Sequence, residues 1–244
     1  MYKRLKTILP FLLFFLPAAM PGHAHPHEYP DTLTVSAPDM EAIKKSVADI
    51  GSPYYFPVLM QRYLDGDTTL TSDDYRYLYF GYSFQDDYDP YRTSPCAEEL
   101  DSLCKRGEYP PETCAALLKC ARRSLDNNPF DLRSMSAMVH ANTLSGQADA
   151  AAFWRERLHR LLDAILSTGD GQSAETAWYV IAPEHAYDLL NTLGVMPDTY
   201  EFCPPQCDYI GVYDLIGTTR GFYFNVSRQL EATRLKFYPN NTLP

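Results

Sequence analysis

The stretch from Ser94 to Ser167 most restricts the fold, because its start and stop signals mark out two pairs of helices. In "SPCAEELDSLCKRG" Ser94 stands where an N-cap belongs, Pro95 follows at the first helical position, and Gly107 comes just past the end. Helices favour proline at the start, where its missing N–H has no partner to lose, and glycine after the end, where left-handed backbone closes the last turn. "PPETCAALLKCARRSLDN" reads as the antiparallel return. The second pair opens at "NPFDL", with Asn128 as N-cap, Pro129 behind it and Asp131 in the first turn, and its first helix closes at Gly146. Its partner places Ala151, Trp154, Leu158, Leu161, Leu162 and Ile165 at three- and four-residue steps, a single apolar stripe on a helix. The pairs begin ~35 residues apart, a tetratricopeptide-like period.

Upstream, "SAPDMEAIKKSVAD" offers Ser36 as N-cap, and "TSDDYRYLYFGY" offers Thr71 with Asp73 and Asp74 in the first turn. Residues 54–64 are apolar without a clear period. After Gly171 the texture changes to short aromatic and β-branched runs, "TAWYVIA", "TYEFC", "CDYIGVYDLI" and "RGFYFNVSR", with a Pro-started helix "PEHAYDLLNTLG" among them and a turn expected from Gly217 to Gly221. Phe222, Phe224 and Val226 alternate with Tyr223 and Asn225, the period of a half-buried strand. Helices first and strands later give an α+β chain: helical pairs packed with a small, mostly antiparallel sheet. With no Ser/Gly-rich linker, residues 36–238 read as one domain, helical over 36–168 and sheet-bearing over 172–230, behind a flexible stretch at 25–35.

The N-terminus has the pattern of an export signal. "MYKRLK" is basic, "TILPFLLFFLPAAM" is apolar but too short to span a bilayer, and Gly22 and Ala24 supply small residues for cleavage after Ala24. Periplasmic or secreted localisation follows, with no membrane span once the signal is removed. Those 24 residues hold three basic and no acidic side chains, leaving 18 basic against 31 acidic residues. So acidic a surface repels phosphate backbones, which argues against nucleic acid as a partner. All six cysteines lie in the mature part, an even number that in an exported chain predicts disulfides. A helical hairpin turning near residues 107–111 sets Cys104 opposite Cys114 and Cys96 opposite Cys120, while Cys203 and Cys207 would close a tight loop. Because Cys114 and Cys120 do not share a helix face, one of the two hairpin bridges is expected to be strained or differently partnered.

Nine tyrosines crowd residues 54–91, and Tyr75, Tyr79 and Tyr82 are the candidates for an exposed face that stacks a sugar or binds a peptide. The same rings would otherwise line the edge of the core. Asp65, Asp67, Asp73 and Asp74 supply oxygen atoms for calcium, but a calcium loop starting at Asp65 wants an acid where Arg76 stands, so no metal or other cofactor is expected. Asp170, Glu184 and His185 are the candidates for catalysis near the Gly169-Asp170-Gly171 turn, with Asp188 on the helix face of Glu184. Each also has a structural use, in a tight turn or a helix start. Metal-protease, nucleophile-elbow and phosphate-loop motifs do not occur.

Taken in order, "LTSDDYRYLYFGY", "NPFDL", "ILSTGDGQSAETAWYVI", "HAYDLL" and "GFYFNV" make the chain resemble DUF4919, a family of exported Bacteroidetes proteins of unknown function. The resemblance spans about residues 40–228 and implies an exported bacterial α+β protein, without assigning catalytic residues. The four-cysteine hairpin stands outside that pattern. The sequence therefore favours a non-catalytic envelope module that binds a protein or glycan over a hydrolase using Asp170, Glu184 and His185.

Overall fold

A computed structural model describes residues 35–213 and 219–237; the leader, residues 25–34 and the expected turn at 217–218 lie outside the described residues. Helices α1 (Met40–Ala48), α2 (Phe56–Asp65) and α3 (Ser72–Tyr82) precede the two pairs, α4 (Ala97–Lys105) with α5 (Pro111–Asn127) and α6 (Leu132–Leu144) with α7 (Ala148–Leu166). Then come β1 (Trp178–Tyr179), α8 (Pro183–Thr192), β2 (Met196–Cys203), β3 (Cys207–Tyr213), β4 (Thr219–Asn225) and α9 (Ser227–Phe237). The architecture is α+β, as the sequence implies.

Three helix starts differ from expectation, each falling two or three residues beyond the cap that the sequence offers. Asp39, not Ser36, caps α1, accepting from the Ala42 N–H at 2.9 Å. Asp131, not Asn128, caps α6 through the Ser134 N–H at 2.8 Å, while Asn128 accepts from the Phe130 N–H in the approach. Helix α4 starts at Ala97 rather than just after Ser94. Thr71 does cap α3: its hydroxyl accepts from the Asp74 N–H, and the Asp74 carboxylate accepts from the Thr71 N–H, a reciprocal capping box. The unassigned run 54–64 is helix from Phe56 onward, with Leu59 and Tyr63 buried against the core.

The sheet has the order β1-β4-β3-β2; β1 runs parallel to β4 and the other pairs are antiparallel. Ile210 and Val212 of β3 and Phe222 and Phe224 of β4 face the helices and are buried. They join the α3 side chains Leu78, Tyr79 and Phe80 in one continuous core. Gly221, expected in a turn, lies within β4 opposite Gly211, because the Tyr209 ring crosses its strand: a Cβ there would sit 2.2 Å from Tyr209 Cζ. Helix α9 was not legible in the sequence. Its Arg228 reaches back to α3's end, Nε donating to Ser83 Oγ at 3.1 Å and a terminal nitrogen to the Ser83 carbonyl at 2.5 Å. No helix among the described residues is long and apolar enough to cross a membrane.

Candidate functional site

The three candidate catalytic residues serve different neighbourhoods. Asp170 is exposed and closes a turn, its Oδ1 accepting from the Gln172 N–H at 2.9 Å and the Thr176 hydroxyl at 2.6 Å. Those bonds, Thr176 first, hold its pKa below the usual carboxylate value. The turn fastens α7 to the sheet: Trp178 Nε1 donates to the Gly169 carbonyl at 3.0 Å, and the Tyr223 N–H of β4 to the Gly171 carbonyl at 2.9 Å. Backbone passes so close at Gly169 that a Cβ would lie 2.0 Å from the Thr176 carbonyl oxygen.

His185 is only 3 % exposed. The Tyr79 hydroxyl lies 2.7 Å from its Nδ1 and also accepts from the Ile181 N–H at 3.3 Å. The imidazole also bonds the Phe130 backbone. Burial, opposed by that backbone bond, lowers the His185 pKa to about 4, so the ring is neutral at pH 7. It is a joint between α3, α8 and the chain before α6.

Glu184 is exposed at the start of α8. Together with Asp188 and the α6 cap Asp131 it makes an acidic group. Crowding by protein and then Asp131 raise the Glu184 carboxyl. Burial of its carboxyl and then Asp131 hold Asp188 well above the usual range, against the pull of Arg133. Asp170, Glu184 and His185 share no partner, so the structure does not gather them at one reacting centre.

The tyrosine candidates are a correction. Tyr75, Tyr79 and Tyr82 are buried, at 6 %, 0 % and 5 % exposure, and form no surface patch. Helix α3 is surrounded by α1, α2 and α7, so its aromatic residues fill the interior. Tyr79 and Tyr82 both pack their rings against Phe130. Asp67 and Asp74 of the weighed calcium loop are likewise spent locally. Asp67 accepts from Thr69 and Arg62, Thr69 first in holding its pKa down at about 2, and Asp74 serves the α3 cap.

The structure brings no two of the six cysteines to disulfide distance, so it does not show the expected bridges. Cys96 and Cys120 nevertheless adjoin, the Cys120 thiol donating to the Cys96 carbonyl at 3.3 Å, and Cys203 faces Cys207 across the β2–β3 hairpin. Cys104 and Cys114 both border Tyr109, whose hydroxyl donates to the Cys104 carbonyl at 3.1 Å and whose own carbonyl takes the Cys114 thiol at 3.4 Å. Among the described residues one group of three has donor atoms within 4.8 Å of one another, Cys96, Glu99 and Cys120. Two thiolates and a carboxylate suit a thiophilic ion. Burial, then the neighbouring Cys96, push Cys120 up to about 12, which opposes forming the needed thiolate.

Sequence reasoning missed a cleft between the Asp86–Tyr91 loop and α9. Its volume is about 540 Å³, with Tyr88, Tyr91, Asp86 and Asp89 on one side and Thr233 and Phe237 on the other. Tyr91 and Phe237 are 54 % and 67 % exposed. Lys236 of α9 bonds Asp89 at 3.0 Å across it. The "DDYDPY" run carried a signal in its acids and aromatics, but the opposite wall depended on a helix the sequence did not announce.

The architecture defines an α+β protein in which helical hairpins lead into a small mixed sheet. A family model described as Domain of unknown function (DUF4919) matches residues 41–234, and the chain belongs to that family. Comparison with curated proteins and with solved structures gives no match.

Proposed function

We propose that the chain is exported, cleaved after Ala24, and acts in the periplasm or outside the cell as a non-catalytic binding module for a protein or glycan. The observation that carries this reading is a contrast in where reactive and apolar groups are spent. Asp170 and His185 are committed to internal hydrogen bonds, while Tyr91, Phe237, Tyr200 and Phe202 keep large rings at the surface. Aromatic side chains combine contact area with few rotatable bonds, which makes them effective binding anchors.

Export also gives the cysteines a use. Adjacent pairs such as Cys96 with Cys120 and Cys203 with Cys207 would each lose two protons and two electrons to an oxidised dithiol protein of the envelope. A typical bridge contributes ~2–4 kcal/mol. The mass and thiol count of the protein from its own cells test export: a chain starting at His25 with Cys96, Cys120, Cys203 and Cys207 closed to alkylation is expected. Affinity capture from the cell envelope, before and after glycan removal, tests binding. Specific retention of a protein or glycan is expected, and no retention above a control column overturns the reading.

A further inference from the structure

We propose that the open edge of β2 takes up an extended segment of another protein as a fifth strand of the sheet, and that this segment alternates basic and apolar residues. The proposal rests on the binding-module reading and chooses a protein partner within it.

The backbone supplies the first observation. In the order β1-β4-β3-β2 the last strand is outermost, and among the described residues its backbone pairs with β3 alone. The N–H and C=O groups of a strand point alternately to its two sides, so those of β2 turned away from β3 are set to pair with an incoming chain. Residues 198–202 are all exposed. Sheet edges are usually guarded by lysine, proline or a bulge. Here the guards stand only at the ends. Pro197 and a register irregularity between Pro197 and Thr199 close one end, and Pro204 and Pro205 close the other. Between them residues 199–203 contain no proline and span ~17 Å, the length of an ordinary short strand.

The two faces of β2 set the pattern of the partner. Residues opposite one another in a ladder share a face. Tyr200 and Phe202 stand opposite Ile210 and Asp208, on the helix side of the sheet, and Thr199 and Glu201 stand opposite Gly211 and Tyr209, on the far side. Close contact confirms the far-side pairing, since a Cβ on Gly211 would sit 2.2 Å from Thr199 Oγ1. The helix side of β2 therefore offers rings, with Phe202 42 % exposed and the Tyr200 hydroxyl donating to Asp208 at 2.9 Å. The far side offers the Glu201 carboxylate. An added strand matches both only if its residues change character at every step, apolar beside Phe202 and polar beside Glu201.

Charge fixes the sign of the polar positions. Residues 196–213 hold Asp198, Glu201 and Asp208 and no lysine or arginine. Among the described residues none of these three carboxylates is in an ion pair. A second copy would bring the same acids against them, from a chain with 31 acidic and 21 basic side chains. Like charges across a ladder destabilise it and opposite charges support it, so the edge selects lysine or arginine over its own twin.

Calorimetry on the chain from His25 onward tests the assignment with the peptide Lys-Val-Lys-Val-Lys-Val-Lys, whose lysines fall on one face and valines on the other. It should bind with a Kd below about 1 mM and slow amide hydrogen exchange in residues 199–203. The same peptide N-methylated throughout keeps the charge but cannot pair, and should bind about tenfold or more weakly; so should a peptide with its lysines and valines in separate blocks. Glu201→Lys, at an exposed position, should weaken the lysine peptide several-fold at an unchanged melting temperature and strengthen binding of the counterpart with glutamate for lysine. Phe202→Ala should also weaken it several-fold. No binding at millimolar concentration, equal binding of the N-methylated peptide, or a dimer of the chain protected along β2 would overturn the proposal. Envelope capture repeated with Glu201→Lys separates the two readings: a partner kept by that variant leaves the binding module standing and removes the β2 edge from it.

Discussion

The joint around His185 and the cleft beside Tyr91 use overlapping chemistry, tyrosine hydroxyls set among aromatic rings and charged neighbours, with opposite outcomes. At the joint every hydrogen-bonding group has an internal partner: the Tyr79 oxygen serves two residues, and the imidazole bonds on both sides. At the cleft two rings, Tyr91 and Phe237, face outward instead. Residue type alone does not say which side chains the fold spends internally. What separates the two regions is whether the protein has already surrounded the rings.

The sharpest way to break this comparison is at the joint. His185→Ala removes a buried ring and leaves the Tyr79 hydroxyl without its ring partner, so chemical denaturation should show a loss of about 3 kcal/mol. Unchanged stability in this variant would take His185 out of the joint.

The same ring predicts an acid limb of similar size. Its folded pKa, about 4, lies below the ordinary 6.5, so folding disfavours protonation. The stability it supports is complete above pH 6.5 and is lost as pH falls towards 4, a change of about 3 kcal/mol in denaturation free energy. Asp188 works in the opposite sense, since its raised carboxyl costs stability at neutral pH and less in acid. The difference between the parent and His185→Gln isolates the imidazole; parallel pH profiles for the two would refute its assignment as a neutral joint.

A smaller effect is expected from Tyr79→Phe, about 2 kcal/mol, because the ring stays while His185 Nδ1 and the Ile181 N–H lose their shared partner. Thermal melts of this variant check it directly: removing the hydroxyl at 79 should lower the melting temperature, and an unchanged one would take Tyr79 out of the joint. Least of all, Thr71→Ala should cost about 1 kcal/mol through the α3 cap, with no change at either region.

Much of the helical half was legible because its signals are local. Thr71 and Asp74 identify a capping box within four residues, and the Trp154–Ile165 stripe identifies α7 by period alone. The sheet half depends on distant pairings. Gly221 belongs in a strand only because Tyr209 lies across it, and β1 exists only where Trp178 meets Phe224. The joint was half visible: His185 and Tyr79 both stood out as chemical residues, but nothing in sequence shows that they meet across 106 positions. The cleft was hidden for the same reason, since Tyr91 and Phe237 approach only after α9 docks.

The Tyr79 hydroxyl carries a consequence for how the molecule comes apart. One oxygen is shared between a helix of the first half and both the strand-end amide and the imidazole of the second, so neither half keeps its interior polar groups matched alone. The two should melt in one cooperative transition, and a truncated chain ending near residue 168 should fail to give a sharp one.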